Sequence, residues 1–265
     1  MQNTKGKLAD ELEKLMVHHP DFDAQFFKST IISMVVCEAL DSESAARTCV
    51  LLLQSPLPGV PAAGREMLEL FSENGSPSAT LNLAVALCAG HGGPANPARA
   101  VVLLQALSNS EALDPELKCA AVGQLAQCYR EGIGVSQDTR QAVELYAQAV
   151  QLGDAEAAYA GGLICQGEGD LKLPTGPDYT RAGWFYAMNQ NDLRCVTNLG
   201  LLHLRGLAPN ASVETGMTLL VTAATQGDET ALDGLRAYAA MGAHAEEALQ
   251  SMGRGAVPRS KPHLH

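Results

Sequence analysis

The chain has 265 residues, with 18 Lys and Arg against 29 Asp and Glu and a formal net charge of −11. That balance argues against a nucleic-acid partner, because neutralising phosphates takes clustered Lys and Arg. A basic peptide or protein suits the field better, and with no run near 18 apolar residues no membrane span is expected.

The start, Met1 to Glu11, is polar and has no secretory-leader pattern, which points to the cytoplasm. A leader removed beforehand would instead place the chain in the periplasm or outside the cell. Leu8 to Met16 is amphipathic, and Phe22 to Leu40 is a long, mostly apolar helical run. Ser44 to Leu53 reads as the second helix of a degraded hairpin. Residues 1–77 are therefore expected to form an N-terminal helical cap with a degenerate repeat.

A loose repeat follows: Ala79, Leu83-Ala84, Gly90-His91-Gly92-Gly93, Asn96, Ala100 and Leu103-Leu104, with an insertion over residues 109–115. The clearest copy is Ala121, Leu125-Ala126, Tyr129, Gly132-Ile133-Gly134-Val135, Asp138, Ala142, Leu145-Tyr146, Ala149-Val150 and Gly153. Leu125 and Tyr129 mark a first helix, which the glycine turn ends. Asp138 stands where an N-cap starts a second helix. Ala142, Leu145, Tyr146 and Ala149 continue at helical spacing.

The next copy keeps Ala157, Tyr159, Gly162, Gly167-x-Gly169, Ala182 and Phe185-Tyr186, with a longer Pro- and Gly-containing loop over residues 170–177. The last keeps Leu199-Gly200, His203, Gly206, Gly216, Leu219-Leu220, Ala223-Ala224 and Gly227, with Ala208-Pro209 in place of the second turn glycine. Ala149 and Ala223 share a slot two periods of about 37 residues apart, which means stacked helical hairpins. The array should span 78–240 in about four units. A cap helix is expected over 241–252 and a disordered tail over 253–265.

Residues 121–153 resemble the Sel-1-like repeat, a short relative of the tetratricopeptide repeat. They match the pattern A-x-x-x-L-G-x-x-Y-x-x-G-x-G-V-x-x-D-x-x-x-A-x-x-L-Y-x-x-A-x-x-x-G at a dozen positions. The resemblance implies an all-α, right-handed solenoid with capping helices at both ends.

Chemistry is sparse. The Gly90 and Gly132 turns follow no expected strand and carry no Lys-Ser or Lys-Thr, so they read as helix ends rather than phosphate loops. Cys88 and His91 have ligand-like spacing, but no second pair lies near to complete a zinc site. His203 stands where the repeat usually has Tyr, and His263 and His265 lie in the tail. The seven cysteines, an odd number without C-x-x-C, read as inert buried thiols. No nucleophile elbow or His-Glu-x-x-His occurs. No catalytic residue, metal or cofactor is expected, and the chain is not expected to be an enzyme.

The resemblance implies that the first helix of each hairpin lines a concave face. Its groove positions fall on Gln127 and Arg130; on Tyr159, Leu163 and Gln166; and on Arg194, Thr197, Leu201 and Leu204. Leu81, Val85 and Cys88 are the counterparts in the first copy. Arg and Tyr are common binding anchors, and Arg130 and Arg194 are expected to hold carboxylates of a peptide. The implied function is a non-enzymatic adaptor or scaffold that binds a peptide or protein segment. The alternative is an immunity protein or chaperone that neutralises one bacterial toxin or secreted effector.

Overall fold

The computed structural model describes residues 28–29, 41–167 and 172–240. Among them are eleven helices and no strand, in the order α1 Ser42–Leu53, α2 Val60–Glu73, α3 Pro77–Ala89, α4 Pro97–Ser108, α5 Pro115–Glu131, α6 Thr139–Gln151, α7 Ala155–Gln166, α8 Tyr179–Met188, α9 Leu193–Leu204, α10 Val213–Thr225 and α11 Glu229–Ala239. The expectations for Leu8–Met16, for most of 22–40, for the cap helix 241–252 and for the tail 253–265 lie outside the described residues.

The helices start where side chains satisfy their free N–H groups. Asp41, Asp114, Asp138, Asp154, Asp178, Asp192 and Asp228 each accept a hydrogen bond from the first turn of the helix that follows. Ser76, Asn96 and Ser212 do the same for α3, α4 and α10. Each such cap is worth about 1 kcal/mol. A good part of the acidic charge thus complements helix N-termini.

The chain divides into two compact units between Gly153 and Asp154. In the first, the hairpins α1–α2, α3–α4 and α5–α6 each pack on themselves and on the next, and the first helices α1, α3 and α5 form a row. In the second, α7–α8 and α9–α10 are hairpins, α11 follows as another first helix, and α7, α9 and α11 form the row. Small residues fill the seams: Ala45, Ala84, Ala100, Ala121, Ala142 and Ala149 in the first unit, Ala158, Ala182, Ala223 and Ala231 in the second, all fully buried.

The structure corrects the N-terminal reading. Ser42–Leu53 is the first helix of its hairpin, not the second, and Val60–Glu73 is its partner. Pro61 sits in the opening turn of α2, where proline is tolerated.

The second glycine of the turn has a packing reason. Gly92 and Gly134 both have positive φ. A Cβ on Gly134 would lie 2.3 Å from the Pro97 carbonyl oxygen, and one on Gly92 would lie 2.3 Å from that of Pro61. Each turn therefore presses against the start of the preceding hairpin's second helix, and no side chain fits between the backbones.

In the second unit the tight crossing is α9 on α10. A Cβ on Gly216 would lie 2.9 Å from the Gly200 carbonyl oxygen and 2.9 Å from Leu204 Cδ2. Gly216→Val should push these helices apart and cost about 1–3 kcal/mol by overpacking, read as a lowered melting temperature. An unchanged melt would show that the crossing is looser than described.

Candidate protein-interaction site

The groove positions of the second unit sit on the row of first helices. Towards its N-terminal end, Tyr159 of α7 stacks against Arg194 of α9, with the guanidinium carbon 4.3 Å from the ring centroid. Arg194 Nη2 also donates to Asp192 Oδ2 at 2.6 Å and to Glu156 Oε2 at 3.0 Å, while its Nε bonds both Asp192 oxygens. The Arg194 hydrogen bond holds the Asp192 carboxyl below the usual carboxylate range, and the two carboxylates push Arg194 up. The sequence reading of Arg194 as an open carboxylate receptor is therefore corrected: two carboxylates of its own unit already hold it. Arg194 is about half exposed, so the cluster adds little stability.

Gln166 and Thr197 are also corrected as contact residues. Gln166 is buried and accepts a 2.7 Å hydrogen bond from the Tyr186 hydroxyl. Thr197 is buried and its hydroxyl donates to Asp228 Oδ2 at 3.1 Å. Both hold helices together. Leu163 is half-buried.

The structure brings Leu201 and Leu204 into one feature. With Arg205 they form one side of a pocket of about 420 Å³, and Gly234, Ala237 and Tyr238 of α11 form the other. Both leucines are half-buried against the apolar cluster of Val196, Leu220, Ala223, Ala231 and Leu235. Leu201 lies where a Cβ on Gly234 would come within 2.7 Å, and Leu204 lies over Gly216. The absence of side chains at these glycines makes room for the two leucines. Arg205 is exposed at the rim, and no carboxylate pairs with it among the described residues.

Sequence reasoning missed Arg205, Gly234, Ala237 and Tyr238, because the transferred groove positions stop at Leu204. The available signal was Gly234, about one period after Gly200.

In the first unit, Gln127 donates to Glu131 Oε1 at 3.2 Å and Arg130 pairs with the same carboxylate. Arg130, too, is therefore not an open carboxylate receptor. Its Nε is buried without a hydrogen-bond partner. Val85 is exposed, and Leu81 and Cys88 are half-buried. His203 Nδ1 accepts from the Ser212 N–H at 3.2 Å, which fixes the turn before α10. No group of three potential metal ligands exists among the described residues, and no described helix is long and apolar enough to cross a membrane.

Comparison with known proteins agrees with this geometry. The Sel1 repeat family matches residues 77–109, 120–154 and 194–228. The intervening hairpin α7–α8, with its lengthened loop, falls outside the matches although it folds alike. No curated protein matches. A Sel1 repeat protein from Oxalobacter formigenes superposes with a TM-score of 0.51 at 19% identity, over 86% of this chain and 100% of that one. A protective antigen of uropathogenic Escherichia coli displaying an SLR fold gives a TM-score of 0.38 at 18% identity, over 86% of this chain and 60% of that one. Sel1 repeats are, in general, protein–protein interaction modules. The chain thus carries three Sel1 repeats within an all-helical fold.

Proposed function

We propose that the chain is a non-enzymatic adaptor, and that its second unit binds a partner segment by taking a large apolar side chain into the α9–α11 pocket. The observation that carries this reading is the pocket itself. It is lined mainly by apolar surface, stands on two neighbouring first helices and includes the aromatic Tyr238, a residue type that often anchors binding.

The charges around it shape the partner. Asp154, Glu156, Asp192, Asp228 and Glu229 lie at the N-terminal ends of α7, α9 and α11, with Arg194 as the one cation in that cluster. From Arg194 to Leu204 along α9 is about 15 Å at helical rise. An extended segment covers that in about four to five residues. The partner segment should therefore carry an apolar anchor with basic residues about that far away.

The test is selection from a random displayed peptide library on the purified chain. The expected result is enrichment of sequences with a Leu, Phe, Met or Trp anchor and a basic flank. Failure to enrich any sequence, or enrichment of acidic segments without an apolar anchor, would remove the reading.

A further inference from the structure

In the second unit, the row of first helices differs in charge from one end to the other. Bonds join the N-terminal ends: Glu156 to Arg194 across α7 and α9, and Thr197 to Asp228 across α9 and α11. The C-terminal halves of α9 and α11 meet at the pocket. Asp154, Glu156, Asp192, Asp228 and Glu229 gather at the first end, with Arg194 as the one cation among them. The pocket end is the reverse. Its lining holds one charged side chain, Arg205, and no carboxylate.

Arg205 is also the uncommitted cation of this unit. Arg194 is held by Asp192 and Glu156, and Arg236 by Asp233. Lys172 and Arg181 have interactions of their own. The Arg205 guanidinium is exposed and has no hydrogen-bond or ion-pair partner among the described residues.

Resting on the pocket reading above, we propose that the partner segment is ordered by charge. An Asp or Glu stands directly beside its apolar anchor, on the side away from the basic flank, and pairs with Arg205. The adjacency follows from α9, where Leu204 forms the pocket wall and Arg205 is the next residue. A carboxylate that answers Arg205 therefore belongs next to the side chain that fills the pocket. A guanidinium can take both its oxygens by parallel hydrogen bonds. The order also sets the direction in which the segment lies. Basic residues rest over the acidic end, and the acid rests beyond the anchor. Turned round, the segment would bring its acid towards five carboxylates, and like-charge contacts select against that pose. Arg205 caps the C-terminus of α9 as well, where a cation complements the helix dipole. That second role involves no partner and would leave the partner's sequence untouched, so the two roles are separable.

The test repeats the displayed-library selection on the full wild-type chain and on Arg205→Glu, and reads the residue beside the anchor. Wild type should enrich Asp and Glu there. Arg205→Glu should enrich Lys and Arg there, with the anchor and the distant basic flank retained. A melt of each chain checks the fold; if Arg205→Glu does not fold, Arg205→Gln replaces it and should lose the acidic preference. For one synthetic peptide selected on wild type, changing its acid to the amide should weaken binding to wild type about two- to fivefold and leave binding to Arg205→Gln unchanged. Anchored sequences with no acidic preference on wild type, or the same neighbouring residues on both chains, would overturn this proposal and leave the pocket reading standing. Failure of any anchored sequence to enrich on wild type would instead remove the pocket reading, and this proposal with it.

Discussion

Ala142→Asp is expected to unfold the α5–α6 hairpin. Ala142 is fully buried, and Val143, Leu145, Tyr146 and Ala149 are buried around it on α6. A carboxylate there would lose its hydration with no cation beside it, at a cost of about 3–5 kcal/mol. That is comparable with the whole stability of a domain, about 5–15 kcal/mol. In a repeat array each hairpin leans on its neighbours, so the loss should spread into α3–α4 first. Amide exchange should show lost protection across α3–α6, and circular dichroism a lowered helical signal. Ala149→Leu, which only overpacks the same seam, should cost about 1–3 kcal/mol and leave the helices formed. Wild-type exchange in Ala142→Asp would mean that the register of the repeat is misplaced.

Leu204→Asp is expected to remove binding of a library-selected peptide by about a hundredfold, a loss typical of a central anchor contact. Leu204 is half-buried and forms a wall of the pocket opposite Tyr238. The substitution replaces apolar surface with a charge where the partner's anchor would sit. Tyr238→Ala should weaken the same peptide about tenfold or more. Val102→Asp is the control: Val102 is exposed on α4 of the first unit and is not among the residues that line the pocket, and binding should not change. Equal affinity for Leu204→Asp and wild type would separate the pocket from the function.

The repeat made much of the fold legible. The glycine turns, the Asp138 cap and the alanine seams carry a physical demand at each slot, and the structure meets them at Gly132, Asp138, Ala142 and Ala149. The reading failed where local chemistry diverged from the repeat. The α1–α2 hairpin lacks the Gly-x-Gly turn, so the place of Ser44–Leu53 within its hairpin could not be read from the repeat.

The candidate site was less legible, since transferring groove positions assumes that every hairpin is dressed alike. Gly161 and Gly162 make room for Phe185 and Tyr186, and Tyr186 then reaches Gln166. The cap of α11, Asp228, draws in Thr197. The neutralisation of Arg194 and Arg130 was within reach of the sequence, because Asp192 and Glu131 lie within two residues of them. The pocket could not be read that way: its walls come from two helices, and it depends on α11 standing as one more first helix.

The most direct measurement is amide hydrogen exchange on the full chain, free and saturated with a selected peptide. Engagement at the α9–α11 pocket should slow exchange in α9 and α11 and leave α10 unchanged. Protection confined to the exposed Trp184 and Met188 side of α8, or no protection at saturation, would contradict the account.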